Sequence, residues 1–459
     1  MTALISFCIF ILAVVGTPLF AVIGASAMIN FARDGGDLQS VILAFYDLAT
    51  KPMLHALFLF AFAGCMLGHS KAPQRLLRFS NALLGWLPGG LAIVAVVSCA
   101  LLTSFTGASG ITIVALGGLL LPALLAKNYD RKFSLGVVTS SGSLGLLFPP
   151  SLPVILYGVI AGTSIDDLFI AGIIPGALMV LVLSGYAFYK GLHKDIVRTK
   201  FTFGEVWHAL LEAKYELPLP ILIIGGIYSG FIAISEAAVI VAAYIIIVEM
   251  FIHREIKFAK LGKVARESVI LTGGILIILG MALAATSYMI DAEIPDKVFE
   301  FAHHYMNSKI TFLLTLNVFL LVVGCMIDIY AATVLILPLI IPIAAAFGVH
   351  PVHLGIIFLV NMGIGYITPP VGLNLFIANI RFREPIYKLY KAAIPFVILL
   401  LLVLLAVTYI PQLSLVLLGE KTINETETEN ITLGLDADEL LDTVDDADDI
   451  ISDSDSSYK

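Results

Sequence analysis

The sequence predicts an all-α polytopic membrane protein built on an inverted repeat: two re-entrant helical hairpins, each followed by a broken helix. Three observations predict it. The composition is too apolar for water, the basic connectors are unevenly placed, and two Pro-Pro motifs match each other across the halves.

Of 459 residues, 59% are hydrophobic and 13% are charged. A soluble domain carries about 25% charged residues, so most of this chain belongs in lipid. Runs such as Met1–Ile23, Met53–Gly68, Val269–Ile290 and Ala393–Leu418 approach or exceed the ~20 apolar residues of a spanning helix. The first run lacks a basic leader and a small-residue cleavage site, so it reads as a retained first span. Cys8, Cys65, Cys99 and Cys325 are scattered through apolar runs and form neither a metal pattern nor a disulfide framework. The net charge of −8 comes from the end of the chain. Residues 420–459 hold fourteen acidic side chains against two basic ones, leaving a slight basic excess elsewhere. That tail reads as a solvated, self-repelling and disordered segment.

Lys and Arg cluster at Lys71–Arg78, Lys127–Lys132, Lys190–Lys200, His253–Arg266 and Arg381–Lys391. The connectors Ile165–Asp167, Asp291–Glu300 and Phe347–Pro351 are acidic or nearly uncharged. Basic connectors stay cytoplasmic, which places the first set inside and the second outside, with the acidic tail periplasmic.

This assignment puts both ends of the apolar stretch from Arg78 to Lys127 on the inside. Its midpoint, Thr103–Gly110 (TSFTGASG), is small, weakly polar and uncharged, a poor exterior loop but a good tip for a hairpin that turns within the membrane. Non-helical backbone at that depth survives only where protein or a watery cavity satisfies it. The stretch from His303 to His350 repeats the pattern from the outside, with its tip at Gly324–Tyr330 (GCMIDIY). The return arms carry Pro122 and Pro338 at corresponding places.

Each hairpin is followed by a helix with a double proline: Ser141–Ser151 (SGSLGLLFPPS) and Asn361–Asn374 (NMGIGYITPPVGLN). They align without a gap, Gly145 on Gly365, Pro149 on Pro369 and Pro150 on Pro370. Proline lacks an amide donor and pushes its predecessor out of the α region, so each motif unwinds its helix. The expected boundaries are scaffold helices over 1–83, hairpin one over 84–126, broken helix one over 134–163 and connecting, arm and scaffold helices over 167–300. Hairpin two then covers 310–347, broken helix two 354–381, a last span 393–418 and the tail 419–459.

Matched interruptions in two halves of a membrane chain point to a transport site. Unwound backbone frees carbonyl oxygens for an alkali cation, and half-helix amino ends favour an anion. Ser104, Thr106, Ser109, Ser143, Thr368 and Asn374 add neutral oxygens, and Asp328 is the carboxylate of these elements, a functional candidate at such depth. The competing readings are ordinary. A lone Ser or Thr in a membrane helix bonds its own backbone, a lone Pro-Pro marks a loop, and Asp328 could stand in water at the exterior mouth.

At these residues the chain resembles the large membrane subunit (DctM-like) of the tripartite ATP-independent periplasmic (TRAP) transporters, in the ion transporter superfamily. The stretches that carry the likeness are Trp86–Ala92 (WLPGGLA), Thr106–Thr112 (TGASGIT), Asn128–Phe133 (NYDRKF), Gly142–Ser151 (GSLGLLFPPS), Gly348–Gly355 (GVHPVHLG) and Thr368–Phe376 (TPPVGLNLF). The resemblance covers about residues 1–418. It implies secondary transport of an organic acid, such as a C4-dicarboxylate or sialic acid, driven by sodium with an elevator-like motion. It also implies two partners in the inner membrane and periplasm: a small four-helix (Q-type) membrane subunit, here a separate chain, and a periplasmic substrate-binding protein. One sodium site would fall among Ser104, Gly107, Ser109, Gly145 and Pro149. The other would fall among Gly324, Asp328, Gly365, Thr368 and Pro369, largely through carbonyls. Thr106, Ser143, Ser151 and Asn374 remain for the substrate. The first tip, Gly107–Thr112 (GASGIT), is poorer in hydroxyls than the family's usual Gly-Ser-Ser-Ala-Ala-Thr.

A sodium/dicarboxylate symporter working without a binding protein is the alternative within transport. An enzyme is not indicated. The sequence has no GxSxG, HExxH, Walker-type loop or paired intramembrane carboxylates, and no organic cofactor or nucleic-acid partner is expected.

Overall fold

The structure, a computed structural model, describes residues 17–33, 39–50, 53–192, 196, 200–229, 231–292, 306 and 308–418. Most of the opening run, parts of the connectors at 190–200 and 291–300, and the acidic tail with its expected periplasmic placement lie outside the described residues. Residues up to Ser414 form one compact unit, and the description below is of that unit. Among the described residues, six helices are long and apolar enough to cross a membrane, or up to eight if each bent pair counts as one span.

The chain opens with α1 (Leu19–Arg33), α2 (Gln39–Thr50) and α3 (Met53–His69), followed by the amphipathic α4 (Ala72–Leu84). Hairpin one is α5 (Gly90–Thr106) returning through α6 (Ser109–Ala115) and α7 (Gly117–Ala126). Broken helix one is α8 (Arg131–Ser141), a 3-10 turn (Leu144–Leu147) and α9 (Leu152–Ala161). Then come α10 (Ile165–Ala171), α11 (Ile173–Leu192), α12 (Phe203–Glu212), α13 (Pro218–Tyr228), α14 (Ile234–Ile246) and the long α15 (Phe258–Asp291). Hairpin two is α16 (Lys309–Met326) and α17 (Ile329–Ala346); broken helix two is α18 (Pro351–Gly365) and α19 (Leu373–Phe382), and α20 (Ile386–Tyr409) follows.

Local chemistry sets these boundaries. The Asp130 carboxylate accepts from the Phe133 amide at 3.2 Å to start α8, and Ser308 does the same for Thr311 at 3.3 Å to start α16. Such caps satisfy amides that have no partner within the helix. At 1.5 Å per residue, α5 and α16 are roughly 25 Å long, a little short of a ~30 Å bilayer core. The ends of hairpin two lie on one side, because the Lys309 ammonium donates to the Gly348 carbonyl. Both Pro-Pro bonds, 149–150 and 369–370, are cis, and α8 and α9 are bent by 44° across the first of them.

The two repeats interlock. Each outgoing arm packs on its own broken helix, α5 on α8 and the 3-10 turn, α16 on α18. Each return arm packs on the other repeat's second half-helix, α6 on α19 and α17 on α9. Outside this bundle, α15 packs on α1, α2 and α3, and α3 packs on α14. Charge joins the connectors that the basic clusters grouped. Arg75 of α4 reaches Glu216 at 2.5 Å, Glu249 at 3.0 Å and Glu255 at 2.6 Å. Burial works against the Arg75 charge, yet the three carboxylates outweigh it and hold the guanidinium above its ordinary value. Arg131 and Lys388 likewise converge on Glu384.

Candidate functional site

The site forms where the two hairpin tips meet. Gly107 closes α5 in a left-handed conformation, φ +62°, which a residue without a Cβ adopts at little cost. Its amide donates to the Thr103 carbonyl at 2.8 Å, and its own carbonyl accepts the Tyr330 hydroxyl of the opposite tip at 2.8 Å. Asp328 opens α17, its Oδ1 accepting from the Ala331 amide at 3.3 Å. The next amide, Ile329, donates to the Tyr366 hydroxyl at 2.8 Å. Between the tips lies a cavity of 360 Å³ lined by Gly107, Ser109, Asp328, Tyr330 and, from α3 and α15, Cys65 and Glu267. A second space of 480 Å³ shares the walls Gly110, Ile111 and Ile377 and ends at His69 and Ala115. His69 meets the Glu267 carboxylate at 2.5 Å.

Gly107, Ser109 and Asp328 are thus drawn together, with Asp328 half-buried in the cavity wall. Two aligned glycines hold the broken helices against the hairpins. A Cβ on Gly145 would stand 2.2 Å from the Ala100 carbonyl oxygen and 2.6 Å from the Ser104 nitrogen. A Cβ on Gly365 would stand 2.5 Å from the Gly324 carbonyl carbon. The Ser143 hydroxyl donates to the Gly363 carbonyl at 2.9 Å, tying one break to the other. Asn374 is fully buried beside Gly142, and among the described residues neither its amide nitrogen nor its oxygen has a partner, nor has the buried Ser151 hydroxyl. Buried polar atoms of this kind are suited to hold an ion or a polar ligand.

Other candidates are not brought to the cavity. The Ser104 and Thr368 hydroxyls bond the carbonyls of Leu101 and Ile364 in their own helices, each at 2.8 Å. The Thr106 hydroxyl makes long contacts within its own tip, donating to the Ala108 carbonyl at 3.4 Å and accepting from the Ala108 amide at 3.5 Å. Ser104 and Pro149 face a separate apolar cleft of 170 Å³ with Val97, Phe148 and Val180. Pro149 is buried, whereas its counterpart Pro369 is exposed. Sequence reasoning missed Tyr330, Tyr366, Thr103 and Glu267. The aromatics read as ordinary core, and Glu267 adjoins a basic connector. The Thr103 hydroxyl, 2.7 Å from Thr112 and 2.8 Å from the Gly142 carbonyl, reads as another helix-satisfied Thr.

Opposed hairpins, matched breaks and a shared cavity at their tips define the class as a multi-pass inverted-repeat transporter. A family model described as the tripartite ATP-independent periplasmic transporter, DctM component, matches residues 2–413, and the chain belongs to that family. It is 34% identical over 395 residues to the C4-dicarboxylate TRAP transporter large permease protein DctM of Pseudomonas aeruginosa, covering 86% of this chain and 92% of that one. It is 34% identical over 415 residues to the isethionate TRAP transporter permease protein DctMQ of Oleidesulfovibrio alaskensis, covering 88% of this chain; the chain spans 64% of that longer relative. The ectoine TRAP transporter large permease protein TeaC of Halomonas elongata is 30% identical over 414 residues, with 88% and 96% covered. The crystal structure of the Alcanivorax borkumensis YdaH transporter shares the fold, with a TM-score of 0.54 at 16% identity over 80% of this chain and 86% of that one.

Proposed function

We propose that this chain is the large permease of a tripartite system that imports a small organic acid across the bacterial inner membrane with a sodium gradient. The observation that carries the reading is the meeting of the two hairpin tips, Tyr330 on Gly107, at a cavity walled on its far side by α3 and α15. Carbonyl oxygens of the unwound segments would hold sodium. The set at Gly107, Ser109 and Gly145 is neutral and the set at Gly324, Asp328 and Gly365 carries a carboxylate, so the two sites should differ in strength. The interlocked hairpins and broken helices would move as an elevator against the helices α1, α2, α3, α14 and α15. The named substrates of the relatives, a C4-dicarboxylate, isethionate and ectoine, support a small polar substrate with an acidic group. A periplasmic binding protein would deliver it, and a small membrane subunit would complete the complex as a separate chain. The test is uptake into proteoliposomes with the cognate binding protein, with and without an inward sodium gradient. Uptake that ignores sodium would overturn the coupling.

A further inference from the structure

The cavity between the hairpin tips does not end at the tips. Its walls, α6 on one side and α19 on the other, continue past Gly110, Ile111 and Ile377 into the space bounded by Val114 and Ala115. Arg381 lies one turn beyond Ile377 on the same face of α19, because residues three or four apart share a helix face, and Gly118 stands just past the break at which α7 turns 47° from α6. There the two walls meet. The Arg381 guanidinium occupies the position a Gly118 side chain would need: a Cβ on Gly118 would stand 2.1 Å from Nη2 and 3.0 Å from Cζ. The neighbouring Gly117 makes room for the Phe382 ring in the same way, at 2.8 Å. The Gly117-Gly118 pair is therefore a cradle for the end of α19.

Arg381 also differs from the arginines that fasten this fold. Arg75, Arg78 and Arg131 are each bound to carboxylates. Among the described residues no carboxylate or carbonyl pairs with Arg381, which is exposed. Among the described residues, the carboxylates that line the two spaces are Asp328 and Glu267, and the His69 imidazole is held by Glu267. Lys263 approaches Glu267 at 3.9 Å from the same helix, so that cation already has a carboxylate. An organic anion moving down this cleft meets like charge at Asp328 and Glu267, and one turn past Ile377 stands a guanidinium with no carboxylate partner among the described residues, Arg381. A guanidinium presents a planar fork of donors that matches a carboxylate with two parallel hydrogen bonds, and seating it over a glycine fixes its direction.

We propose that Arg381, seated over Gly118, is the anion-recognition residue of the cleft and takes the carboxylate of a small organic acid at the end away from the hairpin tips. This rests on the transport reading above. A phospholipid headgroup offers the same anionic oxygens, and the experiment separates the two sources. The full-length chain, purified in neutral detergent, is melted with increasing succinate against potassium chloride of matched ionic strength. The expected result is a saturable rise in Tm for the unmodified chain. Its apparent Kd should weaken about tenfold or more in Arg381→Ala, as loss of a charged hydrogen-bond pair implies, and less in Arg381→Lys. Gly118→Leu should match Arg381→Ala, and Arg383→Ala, an exposed neighbour, should leave the response unchanged. No succinate response in the unmodified chain, or an equal one in Arg381→Ala, overturns the proposal. So does an Arg381-dependent shift with phosphatidylglycerol nanodiscs but none with succinate, which assigns the residue to lipid. Failure here leaves sodium-driven uptake intact, whereas sodium-independent uptake leaves the succinate response intact, so the two readings fail separately.

Discussion

Gly363 and Gly365 lie two residues apart in α18, and the structure assigns them opposite responses to the same substitution. A Cβ on Gly363 would meet its nearest neighbour, the Ser143 side chain, at 3.9 Å, an ordinary contact. A Cβ on Gly365 would stand 2.5 Å from the Gly324 carbonyl carbon and 2.7 Å from its Cα, both backbone atoms of α16. Carbon atoms rest at about 3.5–4.0 Å, so Gly365→Ala forces α16 and α18 apart by about 1 Å. Alanine gains up to ~1 kcal/mol of helix propensity over glycine, which Gly363→Ala should keep. In Gly365→Ala the overpacking cost of about 1–3 kcal/mol offsets or exceeds that gain. Its functional effect should be larger than its stability effect. The Gly372 amide donates to the Cys325 carbonyl at 2.9 Å, so the second break and the second tip are held by the very contact the methyl group pries open. A misplacement of about 1 Å at a positioned site can cost about a hundredfold. The assay is thermal unfolding in detergent beside initial uptake rates in proteoliposomes. Equal uptake by Gly363→Ala and Gly365→Ala would refute the claim that the aligned glycines set the hairpin against its broken helix.

Arg75→Ala strands the buried carboxylates of Glu216 and Glu249 and should cost about 3–5 kcal/mol, while Arg78→Ala, whose partners Glu205 and Glu212 are about half exposed, should cost under ~1 kcal/mol; thermal melts of the two variants decide it. The hydrogen bond from Arg131, with burial working against it, holds the Glu384 carboxyl below its ordinary value. The unfolded chain then binds more protons in the window between the folded value and about 4.3, so this contribution is present above that window and is lost as pH falls through it. Arg131→Ala should flatten the acid limb of a Tm-versus-pH curve, and an unchanged limb would count against the pair. Asp328→Asn should impair uptake more than Asp166→Asn, since Asp328 lines the tip cavity while Asp166 lies in the first turn of α10; equal uptake would place Asp328 among ordinary helix caps.

The elements were legible wherever they leave a mark on composition or backbone chemistry. A Pro-Pro must unwind a helix wherever it sits, and a small, uncharged midpoint marks a turn in a long apolar stretch, so hairpins and breaks followed from residues alone. Gly145 and Gly365 were legible as a pair because a close backbone approach tolerates no side chain in either half. The site was only partly legible, because a hydroxyl's partner depends on geometry. Ser104 and Thr368 read as ligands and bond their own helices, while Thr103, one residue before Ser104, bridges hairpin one to the first break. Arg381 fell in a basic connector and was counted for topology, whereas its guanidinium turns back over Gly118.

The exchange of return arms bears on how such a protein can move. The first repeat's α6 packs on the second repeat's α19, and α17 packs on α9, so neither hairpin rests on its own repeat alone. Parting the hairpins would break the Tyr330–Gly107 hydrogen bond, expose both return arms and separate Ser143 from Gly363. Each buried group so exposed loses its partner, at about 1–3 kcal/mol apiece, besides the apolar area uncovered. Moving both hairpins together against α3 and α15 leaves those bonds intact. In the elevator motion proposed above, the seam that would slide is the one the cavity occupies, with Cys65 and Glu267 on one wall and the two tips on the other. A site at a seam changes its exposure when the seam moves, and a site sealed within the interlocked body would not.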